Sequence, residues 1–113
     1  MSTRATYQFK NNGWSGLDTT VYIHHDGYPE GAALYFKAAS ESGRAGVEGF
    51  IAANQKAEIT ASHEIHGDTE FRYTSHKGQL TALKRIDYTD VWEVFYKGTI
   101  SDFIAVYLGE LAA

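Results

Sequence analysis

The chain contains no cysteine, a single proline and no long hydrophobic run. Without cysteine it has no disulfide, no thiolate nucleophile and no cysteine-ligated zinc site, so its stability must come from packing. No stretch approaches the ~18 consecutive apolar residues that indicate a membrane-spanning helix. The first six residues have no apolar signal core. We therefore expect a cytoplasmic protein that makes no membrane contact.

Positive charge and catalytic motifs are also scarce. Ten Lys and Arg residues stand against fourteen Asp and Glu residues, which gives a formal net charge of −4. A surface that binds a phosphate backbone needs clustered Lys and Arg, so the composition argues against nucleic acid as a partner. There is no Gly-x-Ser-x-Gly elbow for acyl transfer, and the glycine-rich stretch at residues 43–49 lacks the lysine of a P-loop.

What the chain does contain is typical of one globular domain. Its 113 residues suit a single core, and 43% of them are hydrophobic. Aromatic residues are abundant, at 14%, with eight Tyr and six Phe. Such a surplus fits the half-buried faces of a β-sheet or, alternatively, a protein-binding surface built from rigid aromatic anchors. Composition leaves both interpretations open.

Hydrophobic periodicity predicts elements in the order ββααββββα. Alternation of apolar and polar residues indicates six strands, at residues 5–10, 19–25, 57–62, 70–76, 79–86 and 91–97. Apolar residues spaced by three and four predict helices at residues 29–39, 44–55 and 99–113. Short connections without βαβ alternation favour a single α+β domain. In it, two or three helices cover one face of a mainly antiparallel sheet.

Several side chains have expected places within these elements. The side chains expected to be buried by the first helix are Ala33, Leu34 and Phe36. Thr99 and Ser101 are the two candidate N-caps of the last helix, because a hydroxyl can accept a backbone hydrogen bond. Lys77 and Gly78 are expected at the tip of a hairpin. The last helix has an apolar stripe that either packs on the sheet or forms a homodimer contact.

Residues 24–31, with the sequence His-His-Asp-Gly-Tyr-Pro-Glu-Gly, combine reactive side chains with residues that shape the backbone. Pro29 has no N–H to donate and suits the first turn of a helix. Gly27 is expected to take the left-handed conformation of a turn. The Asp26 carboxylate can accept hydrogen bonds from the backbone N–H groups of that turn. Most of this segment therefore has a predicted structural role.

Strand alternation separates the two histidines of this segment. In a strand that runs through residue 25, His25 shares the apolar face with Val21 and Ile23, whereas His24 lies on the other face. We therefore expect His25 to be a core residue. His24 and Asp26 remain the candidate site residues of the segment.

A second polar cluster occupies residues 63–70. Together the two clusters supply the ligands of a metal-dependent hydrolase or small-ligand enzyme, which is the alternative interpretation of the sequence. The candidate ligands are His24, Asp26, His63, His66 and Asp68. A shared ion requires the two segments to meet within about 5–6 Å, and the histidine spacing is one residue short of His-Glu-x-x-His. Otherwise we expect the second-cluster histidines to be exposed in loops, and we expect no cofactor.

Tyrosine and tryptophan provide candidate protein contacts. Energetically dominant interface residues are enriched in Trp, Tyr and Arg. The candidate contact residues are Trp14, Tyr28, Tyr88 and Trp92. Trp92 alternatively belongs to the core.

Residues 22–31 and 66–73, with the sequences YIHHDGYPEG and HGDTEFRY, resemble recurrent patterns in small uncharacterised bacterial, phage and prophage proteins. The resemblance implies a compact accessory protein, such as a phage-derived inhibitor that binds a host protein in the manner of anti-CRISPR proteins. It implies no catalytic residue. We therefore expect a non-enzymatic protein whose partner is a host or phage protein. A structural subunit of a larger assembly is a third interpretation.

Overall fold

The computed structural model describes residues 3–12, 17–42, 46–54, 57–63, 67–86 and 89–109. Their strands and helices follow the predicted order ββααββββα. The strands are β1 (Ala5–Asn12), β2 (Leu17–Ile23), β3 (Glu58–Thr60), β4 (Phe71–His76), β5 (Gln79–Arg85) and β6 (Trp92–Thr99). The helices are α1 (Pro29–Glu41), α2 (Gly46–Ala53) and α3 (Ile100–Leu108). None of the helices in these ranges is long and apolar enough to cross a bilayer.

The strands form one sheet in the order β3-β2-β1-β4-β5-β6. The pairings are antiparallel, as predicted, except at the centre, where β1 and β4 run parallel. A parallel pair needs a crossover connection of a dozen or more residues, and here all the elements between β1 and β4 provide it. The sheet is therefore mixed, although it is mainly antiparallel.

One face of the sheet is covered by the helices, and the core lies between them. Side chains alternate along β1, so Ala5, Tyr7 and Phe9 all point into this core. Each helix contributes aromatic or small residues to the same cluster, among them Phe36, Phe50 and Phe103. At the centre the rings of Tyr7 and Tyr73, on the parallel strands, stack with 5.0 Å between centroids. Much of the aromatic surplus therefore fills the core.

Strand β6 contains a β-bulge that places two neighbouring aromatic side chains on the core face. Val94 pairs with Leu83 and Tyr96 pairs with Ala82, which leaves Phe95 as the extra residue. Phe95 and Tyr96 both pack against the core. Val94 instead points away from the helices and is 51% exposed.

Two sequence predictions of burial are wrong. Leu34 is 56% exposed, because α1 packs on the sheet through a stripe of small and aromatic residues that includes Ala33 and Phe36. Each residue advances about 100° around a helix, so the position after Ala33 turns toward solvent. His25 is also exposed. Strand β2 ends at Ile23, so the alternation that predicted a core position does not reach residue 25.

Helix α3 begins as predicted but ends earlier. The Thr99 side chain accepts a hydrogen bond from the Asp102 backbone N–H at 3.0 Å, so Thr99 is the N-cap and Ser101, the other candidate, lies within the helix. Gly109 takes a left-handed conformation, with φ at 67°, and so ends the helix after Leu108. The hairpin tip is confirmed as well, with positive φ at both Lys77 (49°) and Gly78 (79°).

Candidate functional site

Residues 24–31 form a tight connection from β2 to α1. The left-handed residue is Asp26, with φ at 57°, and not Gly27 as predicted. Gly27 is required for space instead: a Cβ there would lie 2.6 Å from the Cβ of Ala5. Gly31 is even more restricted, because its Cβ would lie 2.0 Å from the Asp26 carbonyl oxygen. Both glycines are therefore fixed by close backbone packing.

Two tyrosines hold this connection against the core. The Tyr73 hydroxyl donates to the Gly27 carbonyl at 2.6 Å. The Tyr35 hydroxyl donates to the His25 carbonyl at 2.9 Å. Burial raises the pKa of Tyr73 well above its usual value, so its proton stays in place for the hydrogen bond. The segment that looked most reactive in the sequence is thus a structural joint.

The two polar clusters of the sequence approach each other at Tyr22. The Tyr22 hydroxyl lies 2.9 Å from Asp68 Oδ2, and the same carboxylate oxygen lies 3.3 Å from Arg4 Nε. Burial, followed by the hydrogen bond to Asp68, raises the pKa of Tyr22 to about 12. The His24 ring lies 4.5 Å from the Tyr22 ring between centroids. Its Nε2 atom is 2.6 Å from Glu58 Oε2 on the neighbouring strand β3.

His63 is buried, which contradicts the expectation of an exposed loop histidine. Only 8% of it is accessible, and it lies on the sheet face opposite the helices. Its Nδ1 atom is 2.6 Å from Thr6 Oγ1, and its Nε2 atom is 3.1 Å from Thr74 Oγ1. Burial, together with the smaller effects of the nearby Arg72 and Lys10 charges, lowers the pKa of His63 to about 4. His63 is therefore a neutral bridge between the two central strands near neutral pH.

These contacts place the candidate metal ligands in separate environments. His24 pairs with Glu58, Asp68 contacts Tyr22 and Arg4, and both ring nitrogens of His63 contact threonines. Asp26 accepts a hydrogen bond from the Tyr28 hydroxyl at 3.3 Å, and His66 lies outside the described residues. Within the described ranges, no three His, Asp or Glu side chains are arranged to hold a metal ion.

The sheet face opposite α1, α2 and α3 presents a different surface over β4, β5 and β6, which we call the Trp92 face. Pairing places Thr6, Arg72, Leu83 and Val94 in one row across the sheet, and Arg85 opposite Trp92 in the next. The side chains of the Trp92 face are Arg72, Thr74, Thr81, Leu83, Arg85, Trp92, Val94 and Lys97. All of them are half-buried or exposed.

Trp92 is held in place by two arginines. The Arg72 guanidinium carbon lies 3.9 Å from the centroid of the indole ring, and that of Arg85 lies 5.3 Å away. Both distances fall within the range of cation–π interactions. Arg85 is fixed in turn, because its Nη2 donates to the Gly67 carbonyl at 2.7 Å. The indole is therefore a partly accessible side chain with a defined position.

Exposed apolar groups extend this surface to the sheet edge. Val94 is the next residue after Trp92 on the same face of β6 and is 51% exposed. Leu83 fills the neighbouring position on β5 and is half-buried. The combination of a fixed indole, apolar neighbours and arginines is the composition found at the centre of protein interfaces.

The sequence-predicted contact residues are not all on this face. Trp92 lies on it, beneath Arg72, and is half-buried there. Tyr28 is 41% exposed at the start of α1, on the helical side of the molecule. Trp14 and Tyr88 lie outside the described residues.

Arg72 and Arg85 were not among the contact residues predicted from the sequence. Each occupies an alternate position in a predicted strand, which was the available signal for a shared face. Their proximity to Trp92 depends on the pairing of β4, β5 and β6, which a local pattern does not specify. The chain matches no protein family, curated protein or solved structure in the comparisons with known proteins.

Proposed function

We propose that this protein is a non-enzymatic binding protein that engages another protein through the Trp92 face. The observation that carries the proposal is a half-buried indole fixed by two arginines on the sheet face opposite α1, α2 and α3. A side chain that is already ordered loses little conformational freedom when a partner covers it, so more of its burial contributes to affinity. Trp and Arg are also the residues most often found to dominate binding energy.

The arrangement of the polar side chains supports a binding role over catalysis. His63 is held between two threonines, and Tyr73 uses its hydroxyl to fix the backbone before α1. Asp68 contacts Tyr22 and Arg4. These groups contribute to packing and to the connection between strands. The Trp92 face, in contrast, combines accessible apolar area with defined side-chain positions.

A protein of this kind acts by binding to its partner and covering part of the partner's surface. The proposal therefore includes an inhibitory or accessory role toward a host or phage protein, and a cytoplasmic location where such a partner is reached. The resemblance of residues 22–31 and 66–73 to phage and prophage proteins supports this part of the proposal. It does not depend on the chemistry of residues 24–31, which have structural roles.

Site-specific photo-crosslinking tests the proposal. A photoreactive phenylalanine analogue at Val94 samples the Trp92 face, and the same analogue at Val106 of α3 samples the helical side, where the side chain is 60% exposed. In host-cell extract we expect a discrete crosslinked protein from position 94 and none from position 106. The crosslink from position 94 should disappear when the same chain also carries Trp92→Ala. Crosslinking from position 106 alone, or from position 94 regardless of Trp92, would overturn the proposal.

A further inference from the structure

The charges on the Trp92 face indicate the chemistry of its partner. We infer that the partner segment bound there is an acidic stretch of polypeptide, an inference that rests on the proposed function. The cationic side chains of this face and its continuation onto β1 are Lys10, Arg72, Arg85 and Lys97. They are four of the ten Lys and Arg residues in a chain whose net charge is −4.

Negative charge is distributed elsewhere. Among the described residues of β1, β4, β5 and β6 that point away from the helices, none carries a carboxylate. Acidic residues lie close by but outside this area: Glu93 of β6 points to the other side of the sheet, where it lies 4.0 Å from Lys84, and Asp68, before β4, lies beside Arg4. On the far half of the sheet face opposite α1, α2 and α3, Glu58 of β3 is paired with His24. Burial is the main cause of the low pKa of His63, and the positive charges of Arg72 and Lys10 contribute to it in the same direction. A clustered positive surface favours a partner of opposite charge.

The geometry at Trp92 favours carboxylates over a nucleic acid. A guanidinium 3.9 Å from the ring centroid covers part of the indole face on which a base would stack. Arginine is also the side chain that binds carboxylates through two parallel hydrogen bonds. The net charge of −4 also opposes a long phosphate chain. An acidic peptide with an apolar residue over Leu83 and Val94 satisfies both parts of the surface.

NMR titration of the ¹⁵N-labelled protein tests the inference with defined probes. The probes are octaglutamate, octalysine and an eight-nucleotide oligothymidine, each at low salt. We expect octaglutamate to shift the Trp92 indole signal and the amides of β5 and β6. Raising the salt concentration to about 0.3 M should remove most of these shifts, because the Debye screening length falls to about 6 Å. Shifts that are larger with octalysine, no shifts with octaglutamate, or tighter binding of the oligonucleotide would each overturn the inference.

Two charge-neutralising variants provide matched controls. Lys97→Gln removes an exposed charge from the Trp92 face, and we expect it to weaken octaglutamate binding about two- to fivefold. Lys84→Gln removes a charge from the opposite side of the neighbouring strand, where the ammonium lies 4.0 Å from Glu93, and should leave binding unchanged. Equal effects of the two variants would overturn the inference.

The outcomes distinguish this inference from the proposed function. If octaglutamate does not bind but crosslinking at Val94 still depends on Trp92, only the inference of an acidic partner is wrong. If the chain with an intact Trp92 gives no crosslink at Val94, the proposed binding function itself is contradicted.

Discussion

The Arg72 guanidinium carbon lies 3.9 Å from the centroid of the Trp92 ring, although the two residues are twenty positions apart and on strands that are not adjacent. The contact reaches across β5, and Arg85 on β5 approaches the same ring. It fixes the orientation of a large aromatic side chain on the sheet face opposite the three described helices. This arrangement underlies both the proposed binding function and the inferred charge of the partner.

The buried His63 should make stability depend on pH. Its pKa is lowered from 6.5 to about 4 in the folded protein, so between these values the unfolded chain binds more protons than the folded one. Stability from this residue is complete above pH 6.5 and is lost as pH falls toward 4, by about 3 kcal/mol in total. Urea unfolding at pH 7.5 and pH 4.5 should show a smaller loss in His63→Gln, whose side chain can still contact both threonines. Equal losses in the variant, the wild type and the exposed-site control His25→Gln would contradict this assignment.

Gly31 should tolerate no side chain. A Cβ at this position would lie 2.0 Å from the Asp26 carbonyl oxygen, which belongs to the backbone and cannot rotate away. We expect Gly31→Ala to lower the free energy of unfolding by about 2–4 kcal/mol. Gly67→Ala is the control, because a Cβ there meets no atom within 4 Å. Thermal unfolding of the two variants compares them directly, and similar melting temperatures would show that the connection before α1 is looser than described.

Removing the hydroxyl from each of the two stacked core tyrosines should change the free energy of unfolding by different amounts. Tyr73→Phe leaves the Gly27 carbonyl without its 2.6 Å hydrogen bond, and we expect a loss of about 1–3 kcal/mol. The Tyr7 hydroxyl is buried and has no hydrogen-bond partner among the described residues. Removing it in Tyr7→Phe also removes the cost of burying an unsatisfied group, so that variant should be neutral or more stable. Chemical denaturation measures both, and a larger loss for Tyr7→Phe would reverse the assignment.

Local patterns in the sequence were sufficient for the order of the elements. Strand alternation and helical spacing predicted the strands and helices that the structure describes, and Thr99 was one of the two hydroxyl residues predicted to cap α3. The parallel pairing of β1 and β4 was not predictable in this way, because alternation carries no information about strand direction.

The candidate site was less accessible to such reasoning because its contacts are far apart in sequence. His63 is buried by Thr6 and Thr74, and neither threonine is marked by a motif. The histidine-rich residues 24–31 attracted attention as a site, yet their glycines and carbonyls serve the connection between β2 and α1. Trp92 was selected for its residue type alone, whereas its environment depends on strand pairing.

The most direct test of the central claim is the affinity of Trp92→Ala for the protein crosslinked at Val94, measured by titration calorimetry with the purified partner. A fixed interface indole should contribute at least about 2 kcal/mol, so we predict at least about a 30-fold loss of affinity. Leu34→Ala, which truncates an exposed apolar side chain on α1, should bind within about twofold of the wild type. A Trp92→Ala protein that remains folded and binds as tightly as the wild type would contradict the claim that this face is the binding site.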